Sequence, residues 1–326
     1  MIFPMYRRPG SVAYLDDDSV FLDMLSFSLT ELGPARLFSR QDQFLSHLSS
    51  EGRVQQADAR LHQNMISAWY RGESLVVQAL DYWARSVDRY AALQVCVIDF
   101  SMPMKDGLQV CREIDGWHGA RVLLTGRADE RLAIDAFNEF LIDQFVDKAA
   151  PNLWRKLPEL TKSLQEKSLS RHNNIWRATF SEEQARHIHS PEVARKLHHM
   201  ARYENWVEYV AMGSPFGVLA LDADGQASWL QIEMRCDLAW QADQAQHRGL
   251  APDVVAAIRA GSRLTDLRLQ EALGRPGAAP RVSRTFPLGT SSELLGAIFD
   301  IDAELCPGPQ GSYNAFIASQ GGRQRG

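Results

Sequence analysis

Short apolar runs of strand length recur along the first half of the chain. They lie at 11–15, 35–38, 93–98, 121–124 and 144–147. Between most of them, apolar residues recur every three or four positions, which places them on one face of a helix. Such alternation of strands and helices predicts a parallel sheet covered by helices on both faces. We therefore expect a doubly wound, five-stranded α/β domain over residues 1–168.

The segment 49–90 interrupts this alternation with a polar stretch whose residues favour helices. Its apolar positions follow the spacing of amphipathic helix faces and include Trp69, Tyr70, Tyr82 and Trp83. We expect a helical insertion that follows the second strand. The favoured interpretation is a packing extension against the sheet, and the alternative is a surface for a partner protein.

The second half of the chain has a different pattern. Residues 169–212 read as a helical linker. The apolar runs at 216–221 and 226–232, joined by Asp222-Ala-Asp-Gly225, predict a β-hairpin. Helical spacing over 252–273 follows, and further strands are predicted at 282–286 and 294–301.

These elements define a smaller α+β module over residues 213–306. The order of a hairpin, helices and closing strands resembles that of a PAS-type sensory module, without a diagnostic ligand residue. Residues 307–326 are rich in Gly, Ser and Gln, and they predict a flexible tail.

Four leucines alternate at spacings of four, three and four residues after Pro151. They are Leu153, Leu157, Leu160 and Leu164. This spacing is typical of a short coiled-coil seam, which would support a homodimer, and equally of the apolar face of the last helix of the α/β domain. Both interpretations remain open from the sequence.

Composition narrows the class of protein. The chain has 326 residues, 45% of them hydrophobic and 23% charged, which is typical of a soluble globular protein. The formal net charge of −5 gives no electrostatic reason to expect nucleic acid or an anionic membrane as a partner. The four cysteines are widely spaced and form no metal-binding motif, so reduced thiols in a cytoplasmic protein are expected.

Chemically active residues follow the predicted strands of the first half at the point where each strand ends. Asp16 and Asp17 follow the first strand, Asp99 the third, Thr125 the fourth and Lys148 the fifth. Because open α/β sheets place their sites at the carboxyl ends of strands, we expect these side chains to lie together.

Three carboxylates in one place repel one another unless a cation joins them. An oxygen-only cluster with open positions suits Mg²⁺, which binds through one or two carboxylates together with substrate phosphate. A carboxylate can also attack phosphorus to form an acyl phosphate. The sequence therefore predicts a magnesium-dependent, self-phosphorylating aspartate.

The segment from Asp99 to Gly107, Asp-Phe-Ser-Met-Pro-Met-Lys-Asp-Gly, carries the pattern D-x-x-M-P-x-x-D-G. Together with Leu15-Asp16-Asp17, Thr125-Gly126 and Phe145-Val-Asp-Lys148, it resembles the receiver domain of two-component response regulators. The resemblance implies the flavodoxin-like fold of that family, whose strand order is 2-1-3-4-5.

The resemblance also implies roles at the metal site. Asp99 is the phosphoacceptor, Asp17 binds Mg²⁺ directly, and Asp16 acts mainly through metal-bound water. The backbone carbonyl of Ser101 completes the protein ligands.

Three further residues acquire roles by the same resemblance. Lys148 contacts the phosphoryl group, and Thr125 swings toward it. Phe145 is the switch aromatic, which rotates inward as Thr125 moves.

Two features depart from the family pattern. Lys148 is usually followed directly by proline, whereas Ala149 and Ala150 precede Pro151 here. Asp17 and Asp99 are also 82 positions apart, a longer separation than is usual in the family. The first departure puts the turn after Lys148 in doubt, and the second is assigned to the helical insertion.

The resulting hypothesis is a response regulator phosphorylated on Asp99 by a histidine kinase or phosphotransfer protein. It is not expected to be an enzyme beyond its own phosphoryl transfer and dephosphorylation. Output would pass through contacts of the C-terminal module with a protein or a small ligand. One alternative is a DNA-binding regulator with an unrecognised reading helix near 252–273, and another is a scaffold whose receiver is never phosphorylated.

Overall fold

The computed structural model describes residues 2–28, 34–114, 116–126, 130–290 and 293–320. The chain divides into two compact units. The parallel-sheet unit comprises Pro9–Leu61, Asp88–Arg171 and Phe316–Gly326. The antiparallel-sheet unit comprises Met1–Arg8, His62–Val87 and His172–Ala315.

The strands of the described residues are numbered in chain order. They are β1 (Tyr6–Arg7), β2 (Ser11–Leu15), β3 (Ala35–Phe38), β4 (Leu93–Asp99), β5 (Ala120–Thr125), β6 (Gln144–Asp147), β7 (Glu208–Gly213), β8 (Phe216–Leu221), β9 (Ala227–Met234), β10 (Arg263–Thr265), β11 (Val282–Arg284), β12 (Phe286–Pro287) and β13 (Leu294–Asp300).

The helices are numbered in the same way. They are α1 (Ser19–Ser28), α2 (Gln41–Trp69), α3 (Leu75–Arg85), α4 (Gly107–Glu113), α5 (Glu130–Asn138), α6 (Leu153–Ser168), α7 (Ser170–Arg177), α8 (Glu182–Ile188), α9 (Pro191–Tyr203), α10 (Leu238–His247), α11 (Pro252–Arg259), α12 (Leu267–Ala272) and α13 (Tyr313–Gln320). None of the helices in the described ranges is both long and apolar enough to cross a membrane.

The parallel-sheet unit has a five-stranded sheet in the order β3-β2-β4-β5-β6, and every pair of neighbours is parallel. The central strand β4 is buried at all seven residues. Its Cys96 and Ile98 lie in one apolar core, and its Val95 and Val97 lie in a second core on the opposite face. The predicted flavodoxin-like, doubly wound fold is confirmed.

Helix α6 contributes its apolar face to this unit. Leu153, Leu157 and Leu164 are buried in the same core as Val95, and Leu160 packs against it. The leucine spacing after Pro151 therefore reflects packing on the sheet. These side chains are not left exposed as a coiled-coil seam.

The insertion over 49–90 is helical, as expected, but it begins as the continuation of an earlier helix. α2 runs without interruption from Gln41 to Trp69, and α3 follows after a short turn. The hydroxyl of Ser74 accepts a hydrogen bond from the N–H of Val77, which caps the start of α3.

The two parts of this insertion belong to different units. Near the start of the segment, Glu51 accepts a hydrogen bond from the N–H of Leu93, and Gln55 donates one to the carbonyl of Leu93. The part from His62 to Val87 belongs to the antiparallel-sheet unit. The first part of the insertion therefore contacts strand β4 of the parallel sheet.

The antiparallel-sheet unit is built on a six-stranded sheet in the order β1-β7-β8-β9-β13-β12. The predicted hairpin forms from β8 and β9, and the carboxylate of Asp222 in its turn accepts from the N–H groups of Asp224 and Gln226. Gly225 in this turn has a φ of +84°, a left-handed conformation that glycine adopts without steric cost. A second, two-stranded sheet pairs β10 with β11.

Both ends of the chain differ from the sequence prediction. Residues 1–8 were expected in the α/β domain, but Tyr6 and Arg7 pair with Val210 and Tyr209 of β7. Strand pairing of this kind depends on a partner about two hundred positions away, which no local pattern reveals.

The C-terminal segment was expected to be a flexible tail from residue 307. The structure instead has a helix over Tyr313–Gln320, and 321–326 lie outside the described residues. The helix start is fixed by hydrogen bonds from the backbone and side chain of Asn314 to Ala223 and Asp224 of the hairpin turn. These tertiary contacts override the low apolar content of the segment.

A buried glutamate lies on β9. Glu233 is 2% exposed, and Gln231 on the same face donates a hydrogen bond to it. Burial raises the pKa of Glu233 to about 7, although the guanidinium of Arg268, 3.4 Å away, favours the ionised form.

This carboxyl makes the stability of its unit depend on pH. An unfolded chain releases the proton near the ordinary pKa of 4.5, whereas the folded unit keeps it to about 7. The stabilising contribution is therefore complete below 4.5 and is lost as pH rises toward 7. We expect the free energy of unfolding to fall over this interval by at most about 3 kcal/mol, and Glu233→Gln to flatten the decline.

Urea unfolding at a series of pH values, followed by tryptophan fluorescence and circular dichroism, measures this effect. Glu293→Gln is the matched control, because Glu293 is exposed in the same unit. The prediction is wrong if the wild type and Glu233→Gln show the same pH dependence.

Candidate functional site

The register of the parallel sheet places the expected residues at one edge. Leu15 lies opposite Ile98, so the chain leaves β2 at Asp16 and reaches Asp99 at the corresponding end of β4. Thr125, the last residue of β5, lies opposite Asp147, the residue before Lys148. Strand topology alone therefore gathers these side chains.

Asp16, Asp17 and Asp99 form a compact acidic cluster. Each offers a carboxylate oxygen, and the three oxygens lie within 4.8 Å of one another. Asp16 is 1% exposed and Asp99 is 4% exposed, whereas Asp17 is open to solvent. Burial raises the pKa of Asp16, Lys148 opposes this shift, and the charge of Asp99 adds to it.

The donor set of this cluster fits a magnesium ion. All three groups are carboxylates, and one of them faces solvent, which leaves room for water and a substrate oxygen. Asp16, Asp17 and Asp99 are the residues that would hold the ion. Ser101 lies beside them, and its N–H donates to Oδ2 of Asp99 at 3.1 Å. The predicted role of the Ser101 carbonyl as a ligand stays a prediction.

Lys148 supplies the positive charge of the site. Its Nζ lies 2.7 Å from Oδ2 of Asp16 and 3.0 Å from Oδ1 of Asp99. Burial lowers the pKa of Lys148, but its hydrogen bonds and ion pairs with the two carboxylates outweigh burial, so the net shift is upward. The ammonium thus stays protonated and bridges the two buried acids.

The turn after Lys148 is held by hydrogen bonds, without the proline expected from the resemblance to receiver domains. The N–H of Lys148 donates to the carbonyl of Thr125 at 2.9 Å. The N–H of Ala149 donates to the carboxylate of Asp147 at 2.8 Å, and the N–H of Ala150 donates to the carbonyl of Asp147. Because proline has no N–H, the hydrogen bond from position 149 requires another residue there.

Phe21 on α1 is a residue that sequence reasoning missed. The Nζ of Lys148 lies 4.5 Å from the centroid of its ring, a cation–π distance. Phe21 is buried, and its ring packs against Trp154 with centroids 5.4 Å apart. An apolar residue four positions after Asp17 is an ordinary feature of an amphipathic helix, so the sequence carried no signal for this contact.

The loop after Asp99 is fixed by Gly107 and Asp106. A Cβ at Gly107 would lie 2.4 Å from the carbonyl oxygen of Asp99, so the close approach of the two backbones requires glycine. Asp106 caps α4 by accepting from the N–H of Gln109, whose side chain accepts in return from the N–H of Asp106. The aspartate and glycine of the motif thus shape the loop that carries Ser101.

Thr125 and Phe145 lie on the adjacent strands β5 and β6. Thr125 is buried at the end of β5. Phe145 on the edge strand β6 is half-buried and packs against the core that contains Ile98. The roles of Thr125 as a hydroxyl donor and of Phe145 as a switch aromatic stay predictions.

No family model and no curated protein matches the sequence of this chain. The solved structure of the response regulator LqsR of Legionella pneumophila matches with a TM-score of 0.71 and 22% identity, over 97% of this chain and 95% of that one. The two proteins share a fold.

Isolated receiver domains match about half of this chain. A response regulator receiver domain protein from Clostridium thermocellum is 19% identical over 49% of this chain and 98% of its own, with a TM-score of 0.32. The signal receiver domain of an HD domain-containing protein from Pseudomonas fluorescens is 19% identical over 51% and 93%, with a TM-score of 0.34. The fold assignment therefore rests on LqsR and on the sheet topology.

Removal of the central cation should destabilise the parallel-sheet unit. Lys148→Met leaves Asp16 and Asp99 buried side by side, so we expect a loss of about 1–3 kcal/mol in the free energy of unfolding. Millimolar Mg²⁺ should recover part of this loss, because the acidic cluster would hold it in the folded state only.

Urea unfolding with and without Mg²⁺ checks this result. Lys167→Met is the matched control, because Lys167 pairs with Asp143 at 2.9 Å on the surface of the same unit. Its effect should stay below about 0.5 kcal/mol. Equal effects of the two substitutions would contradict the assigned role of Lys148.

Proposed function

We propose that this protein is a response regulator of a two-component system, phosphorylated on Asp99. The observation that carries the proposal is the bridge of Lys148 between Asp16 and Asp99, with Asp17 open beside them. A nucleophilic carboxylate, an acidic pair for a metal and a fixed cation are the parts that phosphoryl transfer to an aspartate needs.

In the proposed reaction, a carboxylate oxygen of Asp99 attacks the phosphorus of a phosphohistidine. A P–O bond forms to Asp99 as the P–N bond to the imidazole breaks, and the imidazole nitrogen keeps the electron pair. Mg²⁺ bound at the acidic cluster would offset the negative charge that gathers on the phosphoryl oxygens. The only chemistry proposed is this transfer and the later hydrolysis of the acyl phosphate.

Other groups around Asp99 would position its carboxylate and the phosphoryl oxygens. The N–H of Ser101 holds one oxygen of the Asp99 carboxylate in place. Lys148 pairs with the acids in the resting state, and its ammonium can donate to the incoming phosphoryl oxygens instead. The Thr125 hydroxyl would donate to another phosphoryl oxygen, and Phe145 would follow its movement.

The phosphoryl donor would be a histidine kinase or a phosphotransfer protein in the cytoplasm. Output would pass through the antiparallel-sheet unit, by contact with a downstream protein, a second copy of the chain or a small ligand. The likeness of residues 213–306 to a PAS-type module stays a prediction.

Incubation with acetyl phosphate and Mg²⁺ tests the proposal. Intact mass and Phos-tag mobility should show a gain of one labile phosphoryl group in the wild type and in Asp135→Asn, an exposed aspartate on α5. The gain should be absent in Asp99→Asn and after removal of Mg²⁺ with EDTA, because nucleophile or cation is then missing.

If the wild type gains no phosphoryl group and beryllofluoride also leaves it unchanged, the receiver is silent. The protein would then act as a scaffold, and the proposed function would be wrong.

Phe21 should influence the rate of this reaction by keeping the Lys148 ammonium in place. Phe21→Leu retains an apolar side chain but removes the ring, so phosphorylation by acetyl phosphate should slow by roughly three- to tenfold. Phe27→Leu, an exposed position on the same helix, should not change the rate. A rate equal to that of the wild type in both variants would rule out the contact as a positioning device.

A further inference from the structure

A cleft of about 580 Å³ opens within the antiparallel-sheet unit, a volume suited to a small molecule. Its walls come from the end of α2, the turn between β7 and β8, and helix α12. Trp69, Phe216 and Trp240 supply aromatic surface, and Arg268, Glu73 and Glu271 supply charge. None of these residues belongs to the acidic site at the strand ends.

Arg268 is held in a fixed orientation in this cleft. Its guanidinium carbon lies 4.5 Å from the centroid of the Trp240 ring. Its Nη1 also lies 3.4 Å from Oε2 of the buried Glu233. A guanidinium held in this way loses little freedom when it binds a second carboxylate, which favours binding.

Glu233 leaves the charge of Arg268 only partly satisfied. Oε2 of Glu233 has no hydrogen-bond partner, so its contact with Arg268 is an ion pair without hydrogen-bond geometry. Burial also raises the pKa of Glu233 to about 7, which leaves the carboxyl partly neutral near physiological pH. The five N–H donors of the guanidinium therefore retain capacity for an anion in the cleft.

A polar layer lies beneath this ion pair. Gln231 donates to Glu233 and to the backbone carbonyl of Thr265, and all three side chains are buried. Oε1 of Gln231, Oε1 of Gln241 and Oγ1 of Thr265 have no hydrogen-bond partner. Buried polar atoms without partners are costly in a purely structural core, which points to a role beyond packing.

The acidic residues of the cleft restrict which anions fit. Glu73 is paired with Arg71 at 3.5 Å, and Glu271 lies 3.9 Å from Arg248. These exposed ion pairs offset the negative charges of the two carboxylates only in part. A doubly charged phosphate would face repulsion from both carboxylates, whereas a single carboxylate can reach Arg268 with less repulsion.

We propose that this cleft binds a small aromatic monocarboxylate. Its carboxylate pairs with Arg268, and its ring lies against the aromatic wall of Trp69, Phe216 and Trp240. A small molecule thereby acts on the antiparallel-sheet unit independently of phosphorylation at Asp99.

Ligand-observed NMR and calorimetry on the full chain test this site with benzoate as the probe, beside its neutral isostere benzamide and inorganic phosphate. Benzoate should bind with a Kd in the millimolar range, and benzamide and phosphate should bind at least about tenfold more weakly. Arg268→Gln should weaken benzoate binding by about tenfold or more. Arg259→Gln, an exposed arginine paired with Asp243 in the same unit, is the matched control and should not change it.

Glu271→Gln provides a test that does not depend on loss of function. Removal of a repelling carboxylate should tighten benzoate binding by roughly two- to threefold, a result that a misfolded protein cannot give. Asp99→Asn should bind benzoate like the wild type, which separates this site from the proposed phosphorylation. Equal binding of benzoate and benzamide, no effect of Arg268→Gln in a folded variant, or no benzoate binding at all would overturn the proposal.

Discussion

The ammonium of Lys148 between Asp16 and Asp99 is the contact on which the strand-end site depends. Two carboxylates that are almost fully buried lose hydration and repel each other, so a nearby cation is needed to stabilise the pair. Lys148 provides that cation at 2.7 and 3.0 Å, so the sheet can end in acids without losing its packed core. Because Asp16, Asp17 and Asp99 each place a carboxylate oxygen within 4.8 Å of the others, the negative charge that makes the site costly is also what would favour a divalent cation there.

The position of Lys148 is determined by several independent contacts. Its backbone N–H is bonded to Thr125, its ammonium lies over Phe21, and Asp147 orders the turn that follows. The presence of Ala149 where receiver domains usually have proline therefore does not imply a disordered lysine. The N–H of Ala149 holds the turn by donating a hydrogen bond to Asp147, whereas a proline would restrict the turn through its ring.

The residues of the acidic site could be predicted because each follows a buried strand, and parallel strands share an edge. The contact of Phe21 with Lys148 could not be predicted, because helical periodicity shows that a residue is buried but does not show which side chain it contacts. The pairing of Tyr6 with Val210 and the anchoring of Asn314 were also missed, because both depend on partners distant in sequence. Local patterns specified the type of most elements, but strand β7 begins at Glu208, inside the segment 169–212 that was predicted to be helical. Tertiary contacts determined where the second unit begins and ends.

Stability alone gives a weak reason for the polar layer around Glu233. A buried ion pair contributes little beyond what well-packed apolar residues of the same volume would provide. Glu233 also titrates in a range where its unit loses stability with rising pH, and several of its neighbours have unpartnered atoms. This arrangement holds the guanidinium of Arg268 over the ring of Trp240 at the wall of a cleft. Residues that support a binding site often destabilise the core, because they are selected to hold a charged side chain in place at a surface cavity.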